Sequence, residues 1–155
     1  MPKRGLGGGL TLPPPGACIW WRGPQLRLLR TRFGYIVDAM SWGEVELGPE
    51  VADWFLALDE DDQARVGFHV DRLGELGPLL DEPHTKQLER KLRELRFFLS
   101  GRPTRITYWI APGRFIVLFT VFAKTRPNER REVDRAKRAL QRCMTEHGLT
   151  GDQDE

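Results

Sequence analysis

Three apolar runs separated by two short turns lie between residues 92 and 125, and they constrain the fold most strongly. The runs are LRELRFFL, TRITYWI and RFIVLFTVFA, and the separators SGRP and APG contain the glycine and proline typical of hairpin turns. The third run is apolar at nearly every position, which is typical of a central strand covered on both faces. The sequence therefore predicts three consecutive antiparallel strands.

The elements around these strands indicate an α+β fold. SWGEVELGPE alternates like a short edge strand, and apolar residues at positions 51, 54, 55 and 58 then predict an amphipathic helix. A second helix, with Asp61 or Asp62 as its cap, ends at Gly77 before Pro78, and a loop through LLDEPHTKQLERK follows. A last helix begins after Pro127 and Asn128 and stops near Gly148. The predicted order is β-α-α-β-β-β-α, a small antiparallel-rich sheet with a helical hairpin and a C-terminal helix.

Composition divides the 155 residues into one domain and two flanking segments. Residues 1–39, which open with a glycine cluster and three consecutive prolines, are expected to be a disordered or peripheral extension. Residues 40–147 form the predicted domain, and 148–155 an acidic tail. No apolar stretch is long enough to span a membrane, and Cys18 and Cys143 form no disulfide pattern, so we expect a cytoplasmic protein with no membrane partner.

Charge is strongly segregated along the chain. Residues 40–85 carry 12 acidic and 2 basic residues, whereas residues 86–142 carry 16 basic and 5 acidic residues. Such asymmetry is typical of a fold that presents a positive face to a polyanion, although a solvated basic surface gives the same count.

Several of these cations interrupt the apolar strands. Because strand side chains alternate between faces, Arg96 points away from Leu95, and Arg105 is opposed to its apolar neighbour by the same rule. Arginines fixed on one face together with Lys124 would suit a phosphodiester, which accepts bidentate hydrogen bonds from guanidinium groups. The alternative is an exposed sheet face on which Arg93 and Arg96 pair with Glu89 or Glu94.

The sequence contains no motif for a metal or cofactor. Zinc spacings, GxxxxGK[ST], GxSxG and HExxH are all absent, so metal-free and cofactor-free chemistry or simple binding is expected. Of the three histidines, His84 is the candidate general base, because it stands in the loop two residues before Lys86.

Five short motifs from residue 86 onward resemble the RelE/HigB superfamily of toxins from type II toxin–antitoxin modules, especially its HigB-like, phage-derived branch. They are, in order, Lys86 with Leu88, LRELR at 92–96, RITYW at 105–109, FAKT at 122–125, and Glu132, Val133 and Ala136. Two departures are Ala123, where the family pattern has the first of two lysines, and Pro127, where it has a further lysine.

The resemblance implies a RelE-like fold and a metal-independent endoribonuclease, an mRNA interferase that inhibits translation by cutting mRNA on the ribosome. Its partners would be mRNA, the ribosome and a cognate helix-turn-helix antitoxin. By matching positions, four residues would hold the scissile phosphate: Lys86, Arg96, Arg105 and Lys124. Further RNA contacts are expected from Lys91, Arg93 and Arg126.

The general base stays open among Lys86, Lys124, His84 and Tyr108, and Tyr108 can instead stack on a base or pack in the core. Two other functions stay open as well. The chain can be a catalytically inactive module of the same fold that binds RNA, the ribosome or a protein, or it can be a toxin that acts on gyrase.

Overall fold

A computed structural model describes residues 19–20, 42–127 and 129–146 of the protein. Six strands and three helices follow one another in these ranges, with a short 3₁₀ turn at Gly77–Leu79 after the second helix. The strands are β1 (Ile19–Trp20), β2 (Glu44–Leu47), β3 (Thr85–Glu89), β4 (Leu92–Leu99), β5 (Arg102–Ala111) and β6 (Phe115–Ala123). The helices are α1 (Pro49–Leu56), α2 (Glu60–Leu76) and α3 (Arg130–Glu146).

The strands form one sheet in the order β1-β2-β6-β5-β4-β3. Only the β2–β6 pair is parallel, and the other four pairs are antiparallel. The predicted α+β class and the predicted series of two helices, three antiparallel strands and a last helix are confirmed. The apolar run of β6 lies inside the sheet between β2 and β5, as its pattern indicated.

Two strands were not predicted as such. β3 lies in the segment that the sequence analysis assigned to a loop, because its side chains are mostly polar and exposed and show no alternation. Its backbone pairs with β4 at the sheet edge, and Thr85 is buried where its hydroxyl donates to Leu80 O at 2.8 Å. β1 pairs with β2 at the other edge and is the described part of residues 1–39. The rest of that extension and the acidic tail lie outside the described residues, so both expectations stay predictions.

Helix ends follow local chemistry. Pro49 occupies the first turn of α1, where its missing N–H is not needed. Asp59, not Asp61 or Asp62, caps α2, because its carboxylate accepts from Asp62 N at 2.8 Å. α2 ends at Gly77, as predicted, with φ of 54°.

The sheet separates two hydrophobic layers. On one face, which we call the hairpin face, α1 and α2 cover residues that include Leu95, Ile106 and Tyr108. On the other, which we call the α3 face, Ala136 of α3 packs among Leu92, Trp109, Val117 and Phe119. α3 covers these residues at one end of the central strands, and the rest of the α3 face carries mainly polar side chains.

Candidate functional site

Two rows of side chains cross the α3 face beyond the apolar patch under α3. Strand register defines them, since residues paired across neighbouring strands share a face. The first row runs through Lys86, Glu94, Thr107 and Thr120, and the second through Arg96, Arg105 and Phe122. We call these seven residues the polar rows.

Glu94 is the centre of the polar rows. It is 6% exposed, and its Oε2 lies 3.7 Å from Nε of Arg96 and 3.7 Å from Nε of Arg105. Burial raises the pKa of this carboxyl, while the charges of four cations, Arg105 first and then Arg96, Lys86 and Lys124, act to lower it. The effect of burial is the larger one, so the pKa is higher than that of an ordinary Glu.

Arg105 is buried beside this carboxyl, at 8% exposed. Its Nη1 donates to Thr104 O at 3.2 Å, but its buried Nε has no hydrogen-bond partner among the described residues. Burial lowers the pKa of the guanidinium, and Glu94 partly offsets that shift. Buried polar groups are nearly always hydrogen-bonded, so a donor left unmatched here is typical of a binding site.

The three other cations that act on the same carboxyl are Arg96, Lys86 and Lys124. Arg96 is partly exposed, and its backbone N–H donates to His84 O at 2.8 Å. Lys86 lies directly across from Glu94 on β3 and is exposed. Lys124 follows β6, where its Nζ donates to the carbonyl oxygens of Arg126 and, at 3.1 Å, of Pro127. The structure therefore brings together the four residues that the resemblance implied as phosphate ligands.

Arg93 and Tyr108 lie on the hairpin face instead. Tyr108 has no exposed surface, and its hydroxyl accepts from Arg93 Nε at 3.2 Å. The other guanidinium nitrogens of Arg93 donate to Gln87 Oε1 at 2.6 Å and Thr85 Oγ1 at 3.1 Å. Of the three roles considered for Tyr108, this placement favours packing over stacking or proton transfer.

The remaining candidates lie around the polar rows rather than in them. His84 is partly exposed. The pKa of His69 in α2 is lowered by its own burial first, then by the charge of Arg72, and least by the charge of His84. Lys91 and Arg93 line a groove of about 400 Å³ together with Trp109. The groove lies at the beginning of β4. Arg126 is exposed in the loop before α3, where its N–H donates to Glu129 Oε2 at 2.7 Å.

Sequence reasoning missed Glu94 as a functional residue and considered it only as a surface partner for Arg93 or Arg96. Its position two residues before Arg96 places both side chains on one strand face, which is a readable signal. Its burial was not readable, because that depends on the residues paired with it on β3 and β5.

The residues that the structure describes offer no further reactive group. Within them, no three His, Cys, Asp or Glu side chains come together as metal ligands. Burial, followed by the charges of Glu46 and Glu146, raises the pKa of Cys143 to about 11, so this thiol is protonated at neutral pH and is a poor nucleophile. None of the described helices combines the length and apolar character needed to cross a bilayer.

A family model described as phage derived protein Gp49-like (DUF891) matches residues 53–143, which is more than half of the 155-residue chain. The match extends from α1 to the last turns of α3 and includes the polar rows. A search of curated proteins found no match.

Proposed function

Because the chain belongs to the phage-derived Gp49-like family, a family of RelE/HigB-like toxins, we propose that it cleaves mRNA on the ribosome as the toxin of a type II toxin–antitoxin module. The family is associated with toxins of such modules, which supports the toxin role and implies an antitoxin partner. Beyond the toxin role, the proposal specifies ribosome-dependent endoribonuclease activity and assigns a role in it to individual residues.

The observation that carries the proposal is a buried carboxyl of raised pKa within a group of cations, Glu94 beside Arg96 and Arg105. Metal-independent RNA cleavage needs a group that moves a proton and cations that stabilise the anionic phosphorus centre. A carboxyl with a pKa closer to neutrality is a better general acid or base than an ordinary one. Fixed guanidinium groups supply electrostatic stabilisation without reorganising during the reaction.

In the proposed reaction, the 2′-hydroxyl of the substrate attacks the adjacent phosphorus. Glu94 accepts the proton of that hydroxyl, the 2′-oxygen–phosphorus bond forms, and the bond from phosphorus to the 5′-oxygen breaks. The leaving 5′-oxygen takes a proton from a second group, for which Lys124 and Lys86 are candidates near Glu94. Arg105 and Arg96, which flank Glu94, hold the non-bridging oxygens with their guanidinium groups. The products are a 2′,3′-cyclic phosphate and a 5′-hydroxyl.

The two departures from the family pattern leave this arrangement in place. Ala123 pairs with Thr104, so its side chain belongs to the hairpin face, away from Glu94. Pro127 contributes its carbonyl oxygen to the amine of Lys124. All four cations that act on Glu94 are therefore present although neither position is a lysine.

A helix-turn-helix antitoxin is the proposed partner. The four cations around Glu94 form a surface on which an acidic or strongly polar antitoxin segment would compete with RNA. The helix-turn-helix class of this antitoxin is inferred from the sequence resemblance and from the family to which the chain belongs.

Induced expression with mapping of mRNA 5′ ends tests the proposal. We expect the parent chain to stop growth and to produce breaks within reading frames, and Arg105→Ala or Lys124→Ala to lose those breaks. Removing one group that stabilises an anionic transition state costs about 10² to 10³ in rate. Arg102→Ala, on the exposed start of the same strand, is the matched control and should cut like the parent.

The same experiment separates the alternatives. Intact transcripts during growth arrest contradict the proposed activity. If DNA damage accompanies them, a gyrase-directed toxin is favoured, and salt-sensitive ribosome binding without cleavage favours an inactive binding module.

A further inference from the structure

Two aromatic side chains, one at the end of the second polar row and one next to that row, belong to neither hydrophobic layer of the described residues. Phe122 is paired with Arg105 across β5 and β6 and is partly exposed. Phe98 follows Arg96 on the same face of β4, pairs with Pro103, and is 69% exposed. A phenylalanine this exposed contributes little to the core, and it shares a strand face with the partly exposed Arg96.

The strand end that carries Phe98 is held in place. Ser100 and Gly101 both have positive φ, 51° and 80°, as the two central residues of a type I′ hairpin turn do. The hydroxyl of Ser100 donates to the carboxylate of Asp62 in the first turn of α2, with distances of 3.2 and 3.3 Å to its two oxygens. The ring of Phe98 is therefore presented by a strand tied to a helix rather than by an isolated loop.

We propose that Phe98 is a stacking platform for a nucleobase of single-stranded RNA, next to the phosphate held by Arg96 and Arg105. This inference rests on the proposed function and deepens it by naming how that site holds its substrate. Residues two apart on one strand face are about 7 Å from each other, a separation that one nucleotide spans between its phosphate and its base. Phe122, on the other side of Arg105, extends the same surface.

Charge favours RNA over a protein as the occupant. Arg96 is two residues from Phe98 on the same strand face, and the four cations acting on Glu94 outnumber the one buried carboxylate among them. Single-stranded RNA sites combine cations that follow the backbone with aromatic rings on which bases stack, and every base has a face to stack. Since Tyr108 is fully buried, it leaves that role to Phe98.

The test measures RNA binding of the full chain by fluorescence anisotropy. One probe is an unstructured octanucleotide with 2′-O-methyl groups, which cannot be cleaved by attack of the 2′-oxygen. The second has the same backbone without bases. We expect the parent chain to prefer the first probe, Phe98→Ala to bind it about ten-fold more weakly, and the affinity of Phe98→Ala for the abasic probe to be unchanged.

Three control variants sharpen the result. Phe98→Trp should retain binding, whereas Phe98→Leu keeps an apolar side chain without a ring and should behave like Phe98→Ala. Phe68→Ala removes another exposed aromatic, 58% exposed on α2, and should bind like the parent. Thermal unfolding checks that each variant is folded.

Three results of the binding experiment would overturn the inference. Equal losses on both probes would show that Phe98 does not act through bases. A parent chain that binds neither probe would also contradict stacking. So would a Phe98→Ala variant that binds RNA like the parent, and the ring would then be better explained as an antitoxin contact. If Phe98 supports base-dependent binding but mRNA stays intact after induction, only the proposed cleavage is contradicted. If mRNA is cleaved but Phe98→Ala has no effect on RNA binding, only the stacking is contradicted.

Discussion

Glu94 illustrates how much a single residue's chemistry depends on its neighbours. Four cations act to lower the pKa of its carboxyl, yet burial outweighs them and the pKa is raised. The same burial leaves Arg105 Nε without a hydrogen-bond partner among the described residues. A shifted carboxyl pKa beside an unmatched buried donor is more typical of a functional site than of groups that only stabilise a fold.

The first prediction concerns Glu94→Gln. The substitution retains the shape of the side chain and removes its ability to move a proton, so mRNA cleavage should fall by about 10² to 10⁴ while the chain stays folded. Because the folded-state pKa is raised, the parent should lose activity as pH falls through a value above the ordinary pKa of Glu, where the base becomes protonated. The residual activity of Glu94→Gln should lack that acidic limb in a pH–rate profile.

Glu44→Gln is the matched control for this change, because Glu44 is an exposed carboxylate on β2. It should leave both the rate and the pH profile as in the parent. A Glu94→Gln variant with parental cleavage would exclude Glu94 as the proton-transfer group and return the role to Lys86, Lys124 or His84.

At the scale of elements, the position of α3 decides which part of the sheet stays polar. Arg135 pairs with Glu50 of α1 and, at 2.6 Å, with Glu132, and Glu50 Oε2 accepts from Val121 N at 3.0 Å. These contacts join α3 and α1 across the edge of β6 beyond its pairing with β2. The helix thus covers the apolar patch around Trp109 and leaves the polar rows to other ligands.

The second prediction concerns the end of α2. Gly77 has φ of 54°, and a Cβ there would lie 2.3 Å from Cδ2 of Trp42, a ring packed against the core. Gly77→Ala should therefore lower the free energy of unfolding by more than the roughly 1–3 kcal/mol that a sparsely populated, positive-φ conformation costs a non-glycine residue. Urea denaturation measures this difference.

Gly101→Ala provides the comparison, because Gly101 also has positive φ, at 80°, but has open space around its Cβ position. It should cost the conformational part alone. Equal losses in the two variants would mean that the contact with Trp42 relaxes without cost.

Across the whole molecule, the segregated charges of the sequence correspond to different parts of the fold. The acidic block at 40–85 contains α1 and α2, which cover the hairpin face, and the basic block at 86–142 contains β3 to β6 and most of α3. The result is a sheet whose α3 face combines cations with other polar side chains, while the helical hairpin is acidic. This arrangement favours approach of a polyanion from one direction.

The third prediction is the salt dependence of RNA binding. Each phosphate contact on a single strand contributes roughly −0.7 to the slope of log K against log salt concentration. Lys86→Ala should therefore make the slope shallower by about that amount and weaken binding to all sequences alike. Arg65→Ala, on the acidic α2, should leave the slope unchanged, and a parental slope in Lys86→Ala would remove Lys86 from the phosphate contacts.

Sequence by itself determined the helices of the hairpin, the three central strands and the positions of Arg96, Arg105 and Lys124, because periodicity and turn chemistry are local properties of the chain. It missed β3, whose pairing depends on the neighbouring strand rather than on its own pattern. Tertiary structure alone decided that Glu94 is buried among four cations, that Tyr108 packs in the core and that Phe98 is exposed. The physical reason is that burial and electrostatic environment depend on register between strands and on where α3 packs, and both are contacts between residues distant in sequence.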